Sequence, residues 1–311
     1  MLPTVLIANL LFTASQLSSP SKWQLQKSYR CQIANTSFLC SSTSSAESDY
    51  SDPNSLNSQF NRFYKFRTPA YHARGIERIL LLSDLHCDYA ANRNWLENMC
   101  TSNDYSQTMI LVGGDVSHNL SILQWTFQTL KRAFREVAFV PGNHDLWLDK
   151  QRKRKTIATK LDADDEPAST AGPVLSGAGD GCNNSLEKLE KIFQLCIDED
   201  VRIGAVKVEE NKQSLWVVPL LSWYHSSFDT EPPIECWGGI PSATKVVSDY
   251  RRAVWPEPLS PLNNSVAQFL DDLNDVILDW NGVNEDGQCE MSSSILTFSH
   301  FLPRIELLPG E

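Results

Sequence analysis

Arg78-Ile79-Leu80-Leu81-Leu82-Ser83-Asp84-Leu85-His86 runs from an apolar, strand-like stretch directly into a carboxylate and an imidazole two residues apart. The same arrangement returns twice. Thr108-Met109-Ile110-Leu111-Val112 leads into Gly113-Gly114-Asp115, and Val137-Ala138-Phe139-Val140 leads into Gly142-Asn143-His144-Asp145. Continuous apolar runs of this length are what strands buried on both faces look like. The clusters lie about 30 residues apart, the length of one strand plus its crossover. Side chains at the carboxyl ends of neighbouring parallel strands converge on one crevice.

The residue types fit a pair of divalent ions. Two ions roughly 3.5 to 4 Å apart can clamp both the attacking and the leaving oxygens of a phosphoryl transfer, and they need a short anionic ligand between them. Asp115 is the natural bridge. Asp84 and His86 would hold the first ion, projecting the same way from an extended segment. The Asn143 amide oxygen and further histidines would hold the second. Mixed oxygen and nitrogen donors suit manganese, iron or zinc. Gly113, Gly114 and Gly142 would let the backbone turn sharply beside the ions.

With its D-x-H, G-D and G-N-H-D signatures in order, the chain resembles the calcineurin-like metallophosphoesterase superfamily. The resemblance is firm over residues 78 to about 145 and looser elsewhere. It implies a four-layer α/β/β/α sandwich, two divalent metal ions, a phosphoester substrate and His144 as a catalytic acid rather than a ligand. A leaving alkoxide does need a proton donor, and an imidazole can supply it if a carboxylate keeps it charged. Many relatives place that carboxylate three residues after the bridging aspartate. Here the position is His118, read as a solvent-facing residue before a helix, so Asp145 or a residue outside the motifs is left as the partner of His144.

Ser294-Ile295-Leu296-Thr297-Phe298-Ser299-His300, with Pro303 following, delivers a late histidine at a strand end, and His300 is expected on the second metal. His225 also follows an apolar run and is read as a rim residue, while His72 precedes the first core strand and is expected to be exposed. The resemblance further implies a closing G-H-x-H motif. Glu311 ends this sequence without one, so the chain is expected to be truncated within its second sheet. A catalytically impaired isoform that binds a metal or a phosphorylated ligand is the alternative to an active hydrolase.

At 311 residues, 41% hydrophobic and 21% charged, the chain can bury one large core. A net charge of -11 argues against a nucleic-acid surface. The basic run Lys150 to Lys155 is read as a solvated face. The cysteines show no C-x-x-C spacing, which points weakly to a reducing compartment. Residues 1–46 contain no acid, are rich in serine, and read as a chloroplast transit peptide, with secretion or a cytoplasmic location as alternatives. No apolar run is long enough to span a bilayer. Residues 47–75 are expected to form a flexible linker and 76–311 the catalytic domain, with an inserted loop at about 156–183.

The remaining elements follow from periodicity. Asn119 to Val137 is an amphipathic crossover helix through Ile122, Phe127 and Phe134. Asn184 caps a helix with Glu187 at its third position. Arg202–Val208 and Leu215–Val218 form a hairpin of the second sheet. Val266, Phe269, Leu270 and Leu273 mark a late helix. Trp216, Trp223, Trp237 and Trp255 are read as packing residues, with a substrate platform as the sharper possibility.

Overall fold

The computed structural model describes residues 55–148, 180–210, 213–229, 239, 241–278 and 293–302. The basic run 150–155, Trp237, Pro303, the leader and most of the inserted loop lie outside them. In chain order the elements are α1 (Leu56–Asn61), β1 (Tyr71–Ala73), β2 (Arg78–Leu82), α2 (Ala90–Ser102), β3 (Thr108–Val112), α3 (Leu120–Ala133) and β4 (Glu136–Phe139). They continue with α4 (Ser185–Asp198), β5 (Val206–Glu210), β6 (Gln213–Pro219), α5 (Ala243–Val246), α6 (Asp249–Arg252), α7 (Ser265–Ile277) and β7 (Ser293–Phe298).

Two sheets result. β2, β3 and β4 are parallel neighbours, with Leu82 opposite Val112 and Val112 opposite Phe139, so all three strands end level. α2 and α3 are the crossovers. The second sheet has the order β1-β5-β6-β7; only the β5–β6 pair is antiparallel. Alternation along the strands divides the core. Met109, Leu111, Ala138, Val206, Val217 and Phe298 form one apolar cluster between the sheets. Ile110, Val112 and Trp216 face outward into the cluster that holds the helix residues Leu123, Phe127, Leu189, Phe269 and Leu273. This is the expected α/β/β/α layering.

Helix ends follow local chemistry. Asn119 Oδ1 accepts from the amides of Ser121 and Ile122 at the start of α3, a cap that contributes about 1 kcal/mol. Lys131 and Arg132 occupy its last turn. The helix stops at Ala133, short of the expected Val137, because Phe134 turns extended and Glu136 to Phe139 join the sheet. α4 begins as expected: Asn184 Oδ1 accepts from the Glu187 amide at 2.9 Å, and Glu187 reaches back to the Asn183 amide at 2.8 Å.

Two boundaries differ from expectation. Arg202 does not open the hairpin; it bridges Ala138 on the first sheet, and the chain crosses to the second sheet only at Val206. Residues 55–75 do not form a linker. Phe63 and Phe66 are fully buried against Phe193, Phe60 stacks on Phe269 at 4.4 Å, and β1 pairs with β5. Three phenylalanines at three-residue spacing bury enough apolar surface to outweigh the cost of ordering the segment.

Candidate metal centre

The ends of β2, β3, β4 and β7 bring the expected residues together. Asp84, His86 and Asp115 present ligand atoms that all lie within 4.8 Å of one another. The backbone that aims them is not extended, as the spacing alone implied. Asp84, His86 and Asp115 all have positive φ, at 57°, 41° and 55°. Non-glycine residues adopt that region at a cost, and such strain gathers at functional sites. It is held here by main-chain bonds from Asp84 to Gly114 and from His86 to Asp115, at 3.0 and 2.9 Å.

Asp145 supplies the frame for this turn. It is fully buried, and its two oxygens accept from the amides of Asp115, Val116, Ser117 and Gly142 at 2.8 to 2.9 Å. Burial, with Asp115 nearby, pushes its carboxyl up to about 7, while the four N–H donors oppose that and favour the anion. Asp145 is therefore committed to the backbone and is not the partner of His144. The glycines act mainly by allowing close approach. A Cβ on Gly142 would lie 2.2 Å from Asp115 Oδ1, and one on Gly114 would lie 2.4 Å from the Gly142 nitrogen. Of these, Gly114 also needs its positive φ of 90°.

His300 completes a second group. Its Nδ1 lies 2.7 Å from the Gly113 carbonyl, which can only accept, so Nδ1 carries a proton. In a neutral ring Nε2 then presents a lone pair, at 3.0 Å from Asn143 Oδ1 and 3.4 Å from Asp115 Oδ1. Asn143 cannot be flipped to relieve this, because its Nδ2 donates to Asp249 Oδ1 at 2.8 Å. With the ring neutral, three electron-pair donors face one another. Donors about 2.1 Å from a shared ion and at right angles to each other stand about 3 Å apart. The spacing fits a cation, and the carbonyl behind Nδ1 is the outer-shell partner that a ligating imidazole commonly has. Asp115 shows the same demand for positive charge: burial first, then Asp84 and Asp249, push its carboxyl up to about 6.

His144 lies beside these groups. Its ring meets those of His86 at 4.9 Å and Trp147 at 3.8 Å. Its carboxylate is Asp88, with Oδ2 at 3.7 Å from Nδ1. Burial lowers the imidazole to about 3, with Asp88 acting in the opposite sense. His118 is not solvent-facing. It is half-buried, 3.2 Å from Asp88 Oδ1, and edge-on to His144 with ring centroids 5.6 Å apart. Burial works to raise the Asp88 carboxyl, but its contacts with His118, Ser117 and His144 outweigh burial and hold it below the usual carboxylate range.

The other candidates fall elsewhere. His225 pairs with Asp271 at 3.1 Å and stacks on Phe228. His72 is exposed on β1, 3.7 Å from Glu209. Cys87 is a fully buried thiol, pushed up to about 12 by burial, and Trp216, Trp223 and Trp255 are core residues. The indole packed on His144 is Trp147, which the motifs did not single out.

Carboxylate, amide and imidazole donors gather at strand ends around one shared aspartate, with a further histidine alongside. Residues 77–218 match the family model described as calcineurin-like phosphoesterase, and over that stretch the chain carries a domain of this family. Asp249 and His300 lie beyond the match. A 66-residue stretch is 35% identical to the [acyl-carrier-protein] phosphodiesterase PptH of Mycobacterium tuberculosis, which is 21% of this chain and about a fifth of that protein's length. The crystal structure of the same mycobacterial phosphopantetheinyl hydrolase aligns over 73% of this chain and 70% of its own, at 19% identity and a TM-score of 0.45. Among the described residues, no helix is long and apolar enough to cross a membrane.

Proposed function

We propose that the protein is a metal-dependent hydrolase of phosphoester bonds that holds two divalent ions about Asp115. The observation that carries this reading is the shared carboxylate. Asp115 belongs at once to the group with Asp84 and His86 and to the cluster with Asn143 and His300. Oxygen and nitrogen donors in this mix suit manganese, iron or zinc. When bound, the ions supply Lewis-acid stabilisation of phosphoryl oxygens and an activated water.

The chain's own residues divide the remaining work. Asp145 and the two close-packed glycines fix the Asp115 turn before substrate arrives. Asn143 offers its oxygen toward the ion site, since one of its N–H bonds is committed to Asp249. His144 donates a proton to the leaving oxygen. An anionic phosphoester beside its ring favours the charged imidazole and so opposes the downward pull of burial. Trp147 packs against the ring and limits its rotation. The mycobacterial phosphodiesterase relative supports a phosphodiester as the first substrate class to try.

The test is hydrolysis of bis(p-nitrophenyl) phosphate and p-nitrophenyl phosphate by the full chain loaded with Mn2+ or Zn2+. His144→Ala is expected to keep its bound metal and lose about 10²- to 10⁴-fold in kcat on a phenyl phosphodiester, whose leaving oxygen needs the proton. A metal-loaded wild-type protein that turns over neither ester nor any broader phosphoester panel would overturn the reading.

A further inference from the structure

We propose that His118 is a positioning residue for His144, acting through Asp88. The inference rests on the phosphoesterase reading above, in which His144 serves the leaving oxygen.

One carboxylate lies between two imidazoles. Asp88 Oδ1 accepts from Ser117 Oγ at 2.7 Å and lies 3.2 Å from His118 Nδ1, an ion-pair contact. Asp88 Oδ2 is buried without a hydrogen-bond partner and points toward His144 Nδ1, 3.7 Å away. At that distance His144 does not itself clamp the carboxylate. The rotation of the Asp88 side chain is set from the other side, by the Ser117 hydroxyl that donates to Oδ1 and the His118 ring that packs 3.2 Å from it, and that rotation aims Oδ2 at the ring. The Asp88 main chain is held separately: Arg93 Nη1 donates to the carbonyls of Cys87 and Asp88 at 2.5 and 3.0 Å. Removing His118 therefore leaves the carboxylate held on Oδ1 by Ser117 alone, with its backbone still in place.

A second observation ties His118 to the same shelf. Lys188, fully buried, donates Nζ to the carbonyls of both His118 and Trp147, and pairs with Asp180 at 3.0 Å. One ammonium thus links the segment that carries His118 to the segment that carries the indole packed on His144. The His144 ring is enclosed by parts fixed to one another. Because Asp88 arises after β2 and His118 after β3, two strand ends cooperate to aim the ring that follows β4.

The test separates a positioning role from a merely structural one by the leaving group. A nitrophenolate departs with little help, whereas a phenyl or alkyl oxygen needs the proton from His144. His118→Ala, in the metal-loaded full chain, is expected to lose about 10- to 100-fold in kcat on phenyl phosphodiesters. On the nitrophenyl esters the expected loss is below about threefold, with KM and bound metal unchanged. His118→Asn, which can place an N–H near the position of Nδ1, is expected to recover part of the loss, and it carries the test if His118→Ala does not fold. Equal losses on both esters, no recovery in His118→Asn, or loss of a bound ion would each overturn the proposal while leaving the phosphoesterase reading intact. Absence of turnover by the wild-type protein on both esters would remove the two together.

Discussion

Asn143 donates to Asp249 Oδ1 at 2.8 Å across 106 positions of sequence, and the same oxygen accepts Trp147 Nε1 at 2.6 Å. One buried carboxylate on α6 therefore turns the Asn143 oxygen toward His300 and fixes the indole against His144. Asp249→Ala removes both bonds. It is expected to weaken binding at the second metal position about 10- to 100-fold, with the Asp84, His86, Asp115 position less affected. Isothermal titration with Mn2+ would show a loss confined to one of two sites, and equal weakening of both would refute the assignment.

Asp115 is expected to link metal binding to pH. Its folded carboxyl is raised to about 6 from an ordinary value near 4. A carboxyl raised on folding stabilises the native state below its unfolded pKa, and that contribution is lost as pH rises through the folded one. Metal-free protein should accordingly lose thermal stability between about pH 4 and 6, and divalent metal should remove the decline. Asp115→Asn should shrink the decline to the part that the raised carboxyl of Asp145 contributes and abolish most of the bound metal, read by melting curves and mass spectrometry.

The three strand-end motifs made the first sheet, its two crossovers and most of the site legible, because strand ends convert sequence order into spatial convergence. Asp84, His86, Asp115, Asn143, His144 and His300 do gather. What the motifs could not give was side-chain direction. Asp84 and His86 share a site through left-handed backbone rather than strand alternation, and no spacing rule announces that. Asp88 extended the D-x-H alternation by one more step and could have been noticed. Asp249 could not, since its role depends on packing between distant segments. His118 reads as a surface residue because a position just before a helix is usually exposed, whereas the ring lies half-buried 3.2 Å from the carboxylate of Asp88.

Asp145 offers a sharp distinction between roles. As the acceptor for four buried amides, it is structural. Asp145→Ala would strand those donors at about 1 to 3 kcal/mol each, an expected loss of more than about 4 kcal/mol in urea unfolding. Asp145→Asn should also destabilise, since an amide nitrogen would face main-chain N–H groups. If Asp145 instead served His144 directly, Asp145→Asn would fold at wild-type stability and fail only in turnover.

Close approach at the centre is testable at Gly142. Its added methyl would meet Asp115 Oδ1 at 2.2 Å and His300 Cε1 at 2.8 Å, so Gly142→Ala must displace a ligand, the turn or both. The expected result is a loss of about 1 to 3 kcal/mol in stability, together with reduced metal content. Wild-type metal content in the variant would show that the site tolerates a wider opening than its geometry implies.

The amino-terminal limit of the folded unit carries the last prediction. Reading residues 47–75 as a linker would place the domain start at 76, yet Phe63 and Phe66 lie in the main core and Tyr71–Ala73 pairs with β5. Removing a buried phenylalanine side chain costs about 3 to 5 kcal/mol, which is comparable to the net stability of many domains. A chain lacking residues 1–54 retains every described element and supplies the reference cooperative unfolding transition. Deletion of residues 1–75 should abolish it, and Phe63→Ala should fall between the two, all measured by circular dichroism on heating. An unchanged transition in the longer deletion would mean that the aromatic segment only covers the core, whereas its loss would place the boundary of the folded unit before α1.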